Sequence, residues 1–306
     1  MELSVVIPTY NRAAVLRRSL RALMAQRGVD ALWEIIVIDD GSTDNTPDVV
    51  RALASGSPVP VRYEHQPNRG PAVARNRGIR MADGRLVFMT DSDVLATPDL
   101  VRLHLVGHER HPAPSVGVLG LVRWAPHLQV TPFMRWWEEA RFRFNRLLEG
   151  VEAVNHTYFY TCNVSVKRSF LLEHGLFDER FSTAAYEDTE LASRLKTCGF
   201  QLVFVPEALA YHDHPTDFAH ACRRMESIGR SASLYQARTG HSGLPRWWYW
   251  VSRTPLASSP VSNLLRPLAE KLQDRVVPSP VFVPVLMYHF RQGQQEIGNW
   301  RLEIGD

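Results

Sequence analysis

Two aspartates, Asp91 and Asp93, stand at alternate positions directly after the apolar run Leu86–Met89. In an extended segment, residues i and i+2 project to the same side, so both carboxylates are expected to face one cation. Hard carboxylate oxygens favour Mg²⁺ or Mn²⁺, and such an ion can bridge a diphosphate. The alternative is a solvated turn that caps the next helix, because so short a pattern also arises by chance.

Further polar groups follow other apolar runs. Asp39 and Asp40 come after Glu34–Ile38. One of the two is expected to cap the turn, while the other could accept a hydrogen bond from a nucleobase. The segment 68–76 opens a helix, whose N-terminus attracts anions, and Arg75 adds a fork for phosphate. An ordinary turn with surface arginines is the competing interpretation.

Two later groups could complete such a site. Glu187 and Asp188 begin a helix, where acidic residues often only complement the helix dipole. The functional alternative is a general base with a free carboxylate near the metal. His212 ends a strand and is followed by Asp213 and His214. It could bind a metal, although surface histidines are equally common.

These groups need elements that bring them together, and the first half of the chain alternates apolar runs with amphipathic helical patterns. Such alternation predicts a parallel, helix-covered α/β sheet, which binds ligands beyond the carboxyl ends of its strands. The first helix is expected from about 12 to 26 with Asn11 as its N-cap. The predicted strands are Leu3–Ile7, Glu34–Ile38, Val59–Glu64 and Leu86–Met89.

The second half is less regular. Its expected elements are a helix over Phe133–Leu148, a strand over Tyr158–Val166, a helix over Glu187–Thr197, short strands over Leu202–Val205 and Ala208–Tyr211, and a helix over Phe218–Thr239. Because the α/β alternation stops near residue 216, we expect a catalytic domain over 1–215 and a mostly helical extension over 216–306. The Trp- and Arg-rich clusters of the extension suit an acceptor side or a membrane surface.

Composition narrows the class of protein. The 306 residues are 45% hydrophobic and carry a net charge of +3, which is too mild to indicate nucleic acid. Three scattered cysteines argue against a disulfide framework and fit a reducing compartment. No window of about 18 uncharged apolar residues predicts a membrane span. We therefore expect a cytoplasmic protein, which could rest on the cytoplasmic face of a membrane.

In order and spacing, seven segments over about residues 3–215 resemble the family 2 glycosyltransferases of GT-A fold. They are residues 4–12, 38–44, 68–78, 91–93, 162–168, 175–179 and 187–188. The resemblance implies a Rossmann-like mixed, mostly parallel sheet with helices on both faces, plus the C-terminal helical extension. It also implies a nucleoside-diphosphate sugar donor, with UDP favoured, and Mn²⁺ or Mg²⁺.

The resemblance also implies roles for individual residues. Pro8, Thr9 and Arg12 match positions that line the nucleotide pocket, and Asp40 matches the carboxylate that contacts the base. Asn68 and Arg75 match positions that face the diphosphate. Asp93 matches the direct metal ligand, Asp91 the first metal-motif aspartate near the ribose, and His212 a histidine that completes metal binding. Asp188 matches the catalytic base, and Glu187 could orient the acceptor.

The implied reaction is direct displacement with inversion at the anomeric carbon, as Asp188 takes the proton of the attacking hydroxyl. The acceptor could be a sugar, a lipid-linked sugar or a small molecule in polysaccharide or glycoconjugate biosynthesis. Ala184-Ala185-Tyr186 replaces the usual Gly/Trp-rich lead-in, so the acceptor pocket is expected to be atypical.

Two rival interpretations remain at this point. A haloacid-dehalogenase-like phosphohydrolase also places DxD after an apolar strand, and Lys167 with the Glu187-Asp188 pair could complete it, but it leaves about the first 80 residues unexplained. A non-catalytic nucleotide-sugar-binding protein would be expected to lack the metal or base carboxylates.

Overall fold

The computed structural model describes residues 1–150, 154–275 and 279–304. The chain forms two compact units, and each is built from separate segments. The first unit comprises Met1–Leu128, Phe142–Arg180 and Asp188–His214. The second comprises Gln129–Arg141, Phe181–Glu187 and Pro215–Asp306, so two short segments before residue 216 pack with the C-terminal part of the chain.

The first unit contains an eight-stranded sheet in the order β3-β2-β1-β4-β7-β6-β8-β5. Its strands are β1 (Leu3–Thr9), β2 (Trp33–Asp39), β3 (Val61–His65), β4 (Leu86–Thr90), β5 (Val94–Ala96), β6 (Val116–Trp124), β7 (Asn163–Lys167) and β8 (Gln201–His212). The pairings β3-β2, β2-β1, β1-β4 and β6-β8 are parallel, and the other three are antiparallel. The predicted mixed, mostly parallel α/β sheet is confirmed.

The helices of the chain are α1 (Ala13–Met24), α2 (Thr46–Ala54), α3 (Pro71–Met81), α4 (Leu100–Arg110), α5 (Pro132–Phe142), α6 (Phe144–Leu148), α7 (Arg168–His174), α8 (Glu187–Thr197), α9 (Phe218–Thr239), α10 (Arg246–Ser252), α11 (Ser259–Leu272) and α12 (Ser279–Ile304). In α1, Leu16, Leu20 and Leu23 form one buried face, as their helical spacing predicts. Strands β1, β2 and β4 are apolar and buried along almost their whole length, which is typical of parallel strands covered on both faces.

Local details differ from expectation where tertiary contacts decide them. Asn11 does not cap α1, because its carboxamide accepts from the backbone of Thr43 and Asp44 instead. The first N–H of α1, on Ala13, is capped by the Asp44 carboxylate at 3.0 Å. The single helix expected over 133–148 is broken at Arg143, whose φ of 52° lies in the left-handed region.

The strands of the second half also shift. The strand expected from Tyr158 begins only at Asn163, since Tyr158 belongs to a short 3₁₀ turn. The two short strands expected over 202–211 are one continuous strand, β8. The register of β8 against β6 shifts between Gly120 and Leu121. The gap expected between the two short strands is therefore a β-bulge within one strand.

The second unit is built on α9 to α12 around an aromatic core that includes Phe133, Trp137, Phe218 and Phe282. Phe133 packs against Phe218 with ring centroids 5.6 Å apart and against Phe282 at 5.3 Å. Within the described ranges, no helix has both the length and the apolar character that a membrane crossing requires.

Candidate active site

The two aspartates of the DxD segment lie in a turn between β4 and β5. The backbone N–H of Val94 donates to the carbonyl of Asp91 at 3.2 Å, so the segment is not extended as expected. The antiparallel register of β5 with β8 places Val94 opposite His212. As a result, single ligand atoms of Asp91, Asp93 and His212 all lie within 4.8 Å of one another. These are the three residues predicted to bind a metal.

Each aspartate of the pair is matched by an arginine from a different element. The Arg12 guanidinium donates to Asp93 Oδ2. Arg75, which is buried in α3, donates from Nη2 to Asp91 Oδ1 at 2.9 Å. Burial acts to raise the pKa of Asp93, but electrostatic interactions with His212 and Arg12, together with the hydrogen bond from Arg12, outweigh it and lower the pKa below its ordinary value. The Asp93 carboxylate is therefore held in the charged form that a cation requires.

The position of His212 is set by two aromatic side chains and by the hydrogen bonds of the next residue, Asp213. Its imidazole lies against Phe142 and Trp124, with centroids 5.6 and 6.1 Å away. Asp213 is fully buried, and its carboxylate accepts from Arg18 of α1 and from His127 Nε2. Its backbone N–H donates to the carbonyl of Asp93 at 2.8 Å. Asp213 thus ties the end of β8 to the DxD turn.

Arg18, His127 and Asp213 are residues of the site that sequence reasoning missed. Asp213 and His214 stand beside His212 in the sequence, so adjacency was a usable signal for them. Nothing in the sequence pairs Arg18 with Asp213, because the two are 195 positions apart and meet only through the fold.

The carboxyl ends of β1 and β2 form the neighbouring part of the sheet edge. Asp39 caps the turn, accepting from Ser42 N at 2.8 Å and from the Tyr63 hydroxyl at 2.6 Å. Asp40 is buried and accepts from Gln66 Nε2 and from the backbone N–H groups of 69 and 70. Asp40 therefore holds the loop that leads into α3.

The remaining predicted nucleotide residues lie along the same edge. Pro8 is half-buried and Thr9 is buried, and in the described part of the chain the Thr9 hydroxyl has no hydrogen-bond partner. Asn68 is exposed, and its backbone N lies so close to Gly41 that a Cβ there would stand 2.8 Å away. With a φ of 88° at Gly41, this contact requires glycine in the Asp39–Ser42 turn.

Asp188 stands in the first turn of α8 and is half-buried, with its Oδ1 accepting from Thr189 N at 2.7 Å. Burial raises the pKa of the Tyr160 phenol, and the negative charge of Asp188 acts in the same direction. The Tyr160 ring meets Phe142 edge-on at 5.1 Å, and Phe142 in turn contacts His212. A row of aromatic contacts therefore leads from His212 through Phe142 to Tyr160. Glu187 is buried.

Comparison with known sequences finds relatives for much of the chain. The family model described as "Glycosyl transferase family 2" matches residues 4–174. The validoxylamine A glucosyltransferase of Streptomyces hygroscopicus subsp. jinggangensis is 34% identical over 67% of this chain and 54% of its own length. The chondroitin synthase of Escherichia coli is 28% identical over 70% of this chain and 35% of its own length. The chain spans about half the length, or less, of these two curated relatives.

Solved structures share the fold at low identity. A mannosyltransferase of Pyrobaculum calidifontis, in complex with GDP-Man and Mn²⁺, superposes with a TM-score of 0.63. It is 19% identical, over 96% of this chain and 86% of that one. TarS 1–349 of S. aureus in complex with UDP-GlcNAc gives a TM-score of 0.57 at 15% identity, over 98% and 93% of the two chains. At such identities the likeness concerns the fold.

Proposed function

This chain belongs to glycosyl transferase family 2, and from that premise we propose that it is an inverting, metal-dependent glycosyltransferase. In this proposal it moves a sugar from a nucleoside-diphosphate sugar to an acceptor hydroxyl. The observation that carries the proposal is the Asp91–Asp93–His212 cluster at the edge of the sheet where parallel strands end. Ligands of open α/β sheets bind at that edge.

The donor set of the cluster fits a divalent cation. Two carboxylates and one imidazole suit Mn²⁺, and the carboxylates alone suit Mg²⁺, each of which keeps positions for water or phosphate. Bound there, the ion would supply electrostatic stabilisation of the departing nucleoside diphosphate. Arg12 and Arg75 hold the two carboxylates in place, and their guanidinium groups are suited to the phosphates of the donor.

For the donor we favour a UDP-sugar, while GDP- and dTDP-sugars are the alternatives to test. We assign Pro8, Thr9, Arg12, Asp40, Asn68, Arg75 and Asp91 to the nucleotide pocket. Asp40 already accepts three hydrogen bonds, and a carboxylate offers roughly four lone-pair sites, so it can accept one more from a nucleobase. Support for a nucleotide sugar comes from structural relatives solved with GDP-Man and with UDP-GlcNAc.

We assign proton transfer to Asp188. Its carboxylate would take the proton of the acceptor hydroxyl as that oxygen attacks the anomeric carbon, and the nucleoside diphosphate leaves from the opposite face, which inverts the centre. Glu187 would orient the acceptor. The acceptor is a sugar, a lipid-linked sugar or a small molecule.

We further propose that residues 1–215 form the catalytic domain and that 216–306 form an extension that serves the acceptor or a membrane surface. The protein would then work in the cytoplasm, in peripheral contact with the inner face of the membrane. Support comes from large apolar side chains exposed in the second unit, among them Trp250, Leu256 and Leu264.

Calorimetric titration with UDP, GDP and dTDP in Mn²⁺ and in EDTA tests the metal and donor assignments together. UDP is expected to bind at least about tenfold more tightly with the ion. The cation would offset the repulsion between the negative diphosphate and the carboxylates of the site. Equal affinities in the two buffers would contradict the metal site. A phosphohydrolase would instead cleave a simple aryl phosphate, and a binding protein would hold the nucleotide sugar without hydrolysis or transfer.

A further inference from the structure

A cavity of about 290 Å³ lies within the second unit, away from every residue assigned above to catalysis or to nucleotide binding. It is formed by residues of α9, α10 and α12, by Ser242 in the loop after α9, and by Arg253, which directly follows α10. The lining residues are Ala232, Gln236, Ser242, Tyr249, Ser252, Arg253, Phe290, Arg291 and Gln294. Its volume is just below the range of small-ligand sites, which begins at about 300 Å³.

The described charged side chains that line this cavity are all positive. Arg253 and Arg291 contribute two guanidinium groups, and none of the nine described lining residues is acidic. Arg253 donates from Nη1 to the Tyr249 hydroxyl at 2.9 Å, and Arg291 from Nη1 to the carbonyl of Ala257 at 3.2 Å. Among the described residues these bonds engage one N–H of each guanidinium, which carries five. Both arginines are thereby held at the cavity while most of their donors are available to an anion.

The other lining groups are suited to hydroxyls. Gln236 and Gln294 offer carboxamides that both donate and accept, Ser242 adds a hydroxyl, and the Tyr249 and Phe290 rings supply apolar surface. A monoatomic anion or a bare phosphate would leave most of these groups unused. A polyhydroxyl group that carries a phosphate would use the arginines and the amides together.

We propose that this cavity is a binding site for a phosphate-bearing polyhydroxyl group, such as a sugar phosphate or the phosphoglycerol headgroup of a lipid. The two sources share the chemistry that Arg253 and Arg291 recognise. The lipid source is included because Trp250 and Leu256, which follow Tyr249 and precede Ala257, are large apolar residues exposed to solvent. The site does not depend on the transfer reaction proposed above.

The test is calorimetric titration of the full chain in EDTA, so that metal-dependent binding in the first unit does not contribute. The probes are glucose 6-phosphate, glucose, glucuronate and inorganic phosphate, and vesicles with and without phosphatidylglycerol form a separate arm. The variants are Arg253→Gln, Arg291→Gln and the conservative Arg291→Lys. Arg266→Gln is the matched control, because Arg266 lies on α11 in the same unit, pairs with Glu270 at 3.0 Å and does not line the cavity.

Glucose 6-phosphate is expected to bind more tightly than glucose or phosphate alone, and each Arg→Gln change should weaken it by about tenfold or more. Arg291→Lys should retain part of the affinity, while Arg266→Gln and Asp93→Asn should leave it unchanged. Binding of phosphatidylglycerol vesicles alone, with the same arginine dependence, would assign the lipid source. No binding by either source, equal binding of glucuronate, or affinities that survive both Arg→Gln changes in folded protein would overturn the proposal. Thermal unfolding of each variant identifies any variant that fails to fold. If Arg291→Gln does not fold, the affinity of Arg291→Lys is compared with that of the unchanged protein instead.

Discussion

Two carboxylates within a few ångströms of each other repel, and one of them would ordinarily stay protonated. In the Asp91–Asp93 pair this repulsion is offset by Arg75 and Arg12, which approach from α3 and from the end of β1. The imidazole of His212 adds to the effect and helps to keep the pKa of Asp93 low. The chain therefore keeps Asp93 in the charged form that a metal ligand needs before any cation arrives.

At this scale the sharpest prediction concerns Asp188. Asp188→Asn keeps the shape of the side chain and one acceptor for Thr189 N, but it removes the base. Sugar transfer is expected to fall by about 10²- to 10⁴-fold, while UDP affinity with Mn²⁺ stays the same. Initial rates with a radiolabelled donor and calorimetry on the same preparation measure the two quantities.

Asp93→Asn is the matched comparison, because it changes a carboxylate of the same type at the metal cluster. It should weaken metal-dependent nucleotide binding and turnover together. A purely capping role at Asp188 would cost about 1 kcal/mol of stability and lower both readouts together. Normal transfer in Asp188→Asn, or a joint loss of stability and nucleotide binding, would refute the base assignment.

The sequence allows prediction of Asp91, Asp93 and His212 as neighbours, because they follow strands whose ends share one edge of the sheet. It does not allow prediction of the arginine partners, and it leaves open whether the DxD segment is extended or a turn. Arg12 was expected to face the nucleotide, and its contact with Asp93 depends on the direction in which the chain leaves β1. Such side-chain pairs depend on distances set by the complete fold, which local patterns do not encode.

Among the elements, β8 shows how one irregularity is accommodated. Its bulge skips three residues opposite the step from Gly120 to Leu121, which disrupts the β6-β8 ladder. The Asn163 carboxamide spans the gap and donates to the carbonyls of Leu121 and Ala208 at 2.9 Å each. Its oxygen then accepts from His104 Nε2 at 2.8 Å. The backbone carbonyls that the bulge leaves without partners in the ladder thus receive hydrogen bonds from a side chain of β7.

This network continues through neutral histidines. Since Asn163 Oδ1 can only accept, His104 carries its proton on Nε2, and Nδ1 accepts from the Ser165 hydroxyl at 2.8 Å. Ser165 in turn accepts from His108 Nε2 at 2.9 Å. Burial lowers the pKa of His104 to about 4, and burial together with Lys167 lowers that of His108 to about 2.

These pKa values predict a loss of stability in mild acid. Below the ordinary histidine pKa of about 6.5 the unfolded chain takes up protons that the folded chain excludes. The free energy of unfolding should therefore fall as the pH drops from about 6.5 towards 4, by up to about 1.4 kcal/mol per pH unit for each histidine. Urea unfolding at pH 6.5, 5.5 and 4.5 measures it. His104→Gln should show a shallower decline, and an identical slope in both proteins would contradict the assignment.

A second prediction for the elements concerns the crossing of α9 and α12. A Cβ at Gly229 would meet the carbonyl oxygen of Phe290, and one at Gly293 that of Glu226, each far inside van der Waals contact. Because both obstacles are backbone, the helices must separate to admit a methyl group. Gly229→Ala and Gly293→Ala should each destabilise the protein by about 1–3 kcal/mol, although alanine favours a helix.

Thermal and urea unfolding of the two variants measure this cost. Gly56→Ala is the control, because a Cβ there meets nothing within 4 Å and the backbone conformation suits alanine. If Gly229→Ala were as stable as Gly56→Ala, the close helix crossing would be wrong.

For the whole molecule, the two units differ in what can be predicted. The sheet of the first unit follows from apolar runs of strand length separated by helical patterns, and both the family and the fold class are confirmed. The membership of 129–141 and 181–187 in the second unit could not be foreseen. Phe133 belongs there because its ring packs with Phe218 and Phe282, which lie far along the chain, and Trp137 stacks on Phe133.

The second unit also exposes apolar surface, and this carries the membrane prediction. Leu264 and Leu268 stand one turn apart on α11 and are 77% and 45% exposed, and Trp250 is 67% exposed. The segment 246–275 around them contains Arg246, Arg253, Arg266, Lys271 and Arg275 against Glu270 and Asp274. Exposed Trp and Leu beside a basic excess suit the headgroup region of an anionic bilayer.

Flotation with vesicles of anionic lipid should therefore recover the protein in the lipid fraction, and recovery should fall as salt rises because the basic side chains are screened. The double variant Trp250→Ser, Leu264→Ser should lose most of this binding, since it removes apolar side chains that would otherwise leave water. Leu32→Ser is the matched control, because Leu32 is 74% exposed and belongs to the first unit. Retention of binding in the double variant, or an equal loss in Leu32→Ser, would mean that this surface does not contact the membrane. A protein that never floats would rule out the peripheral contact altogether.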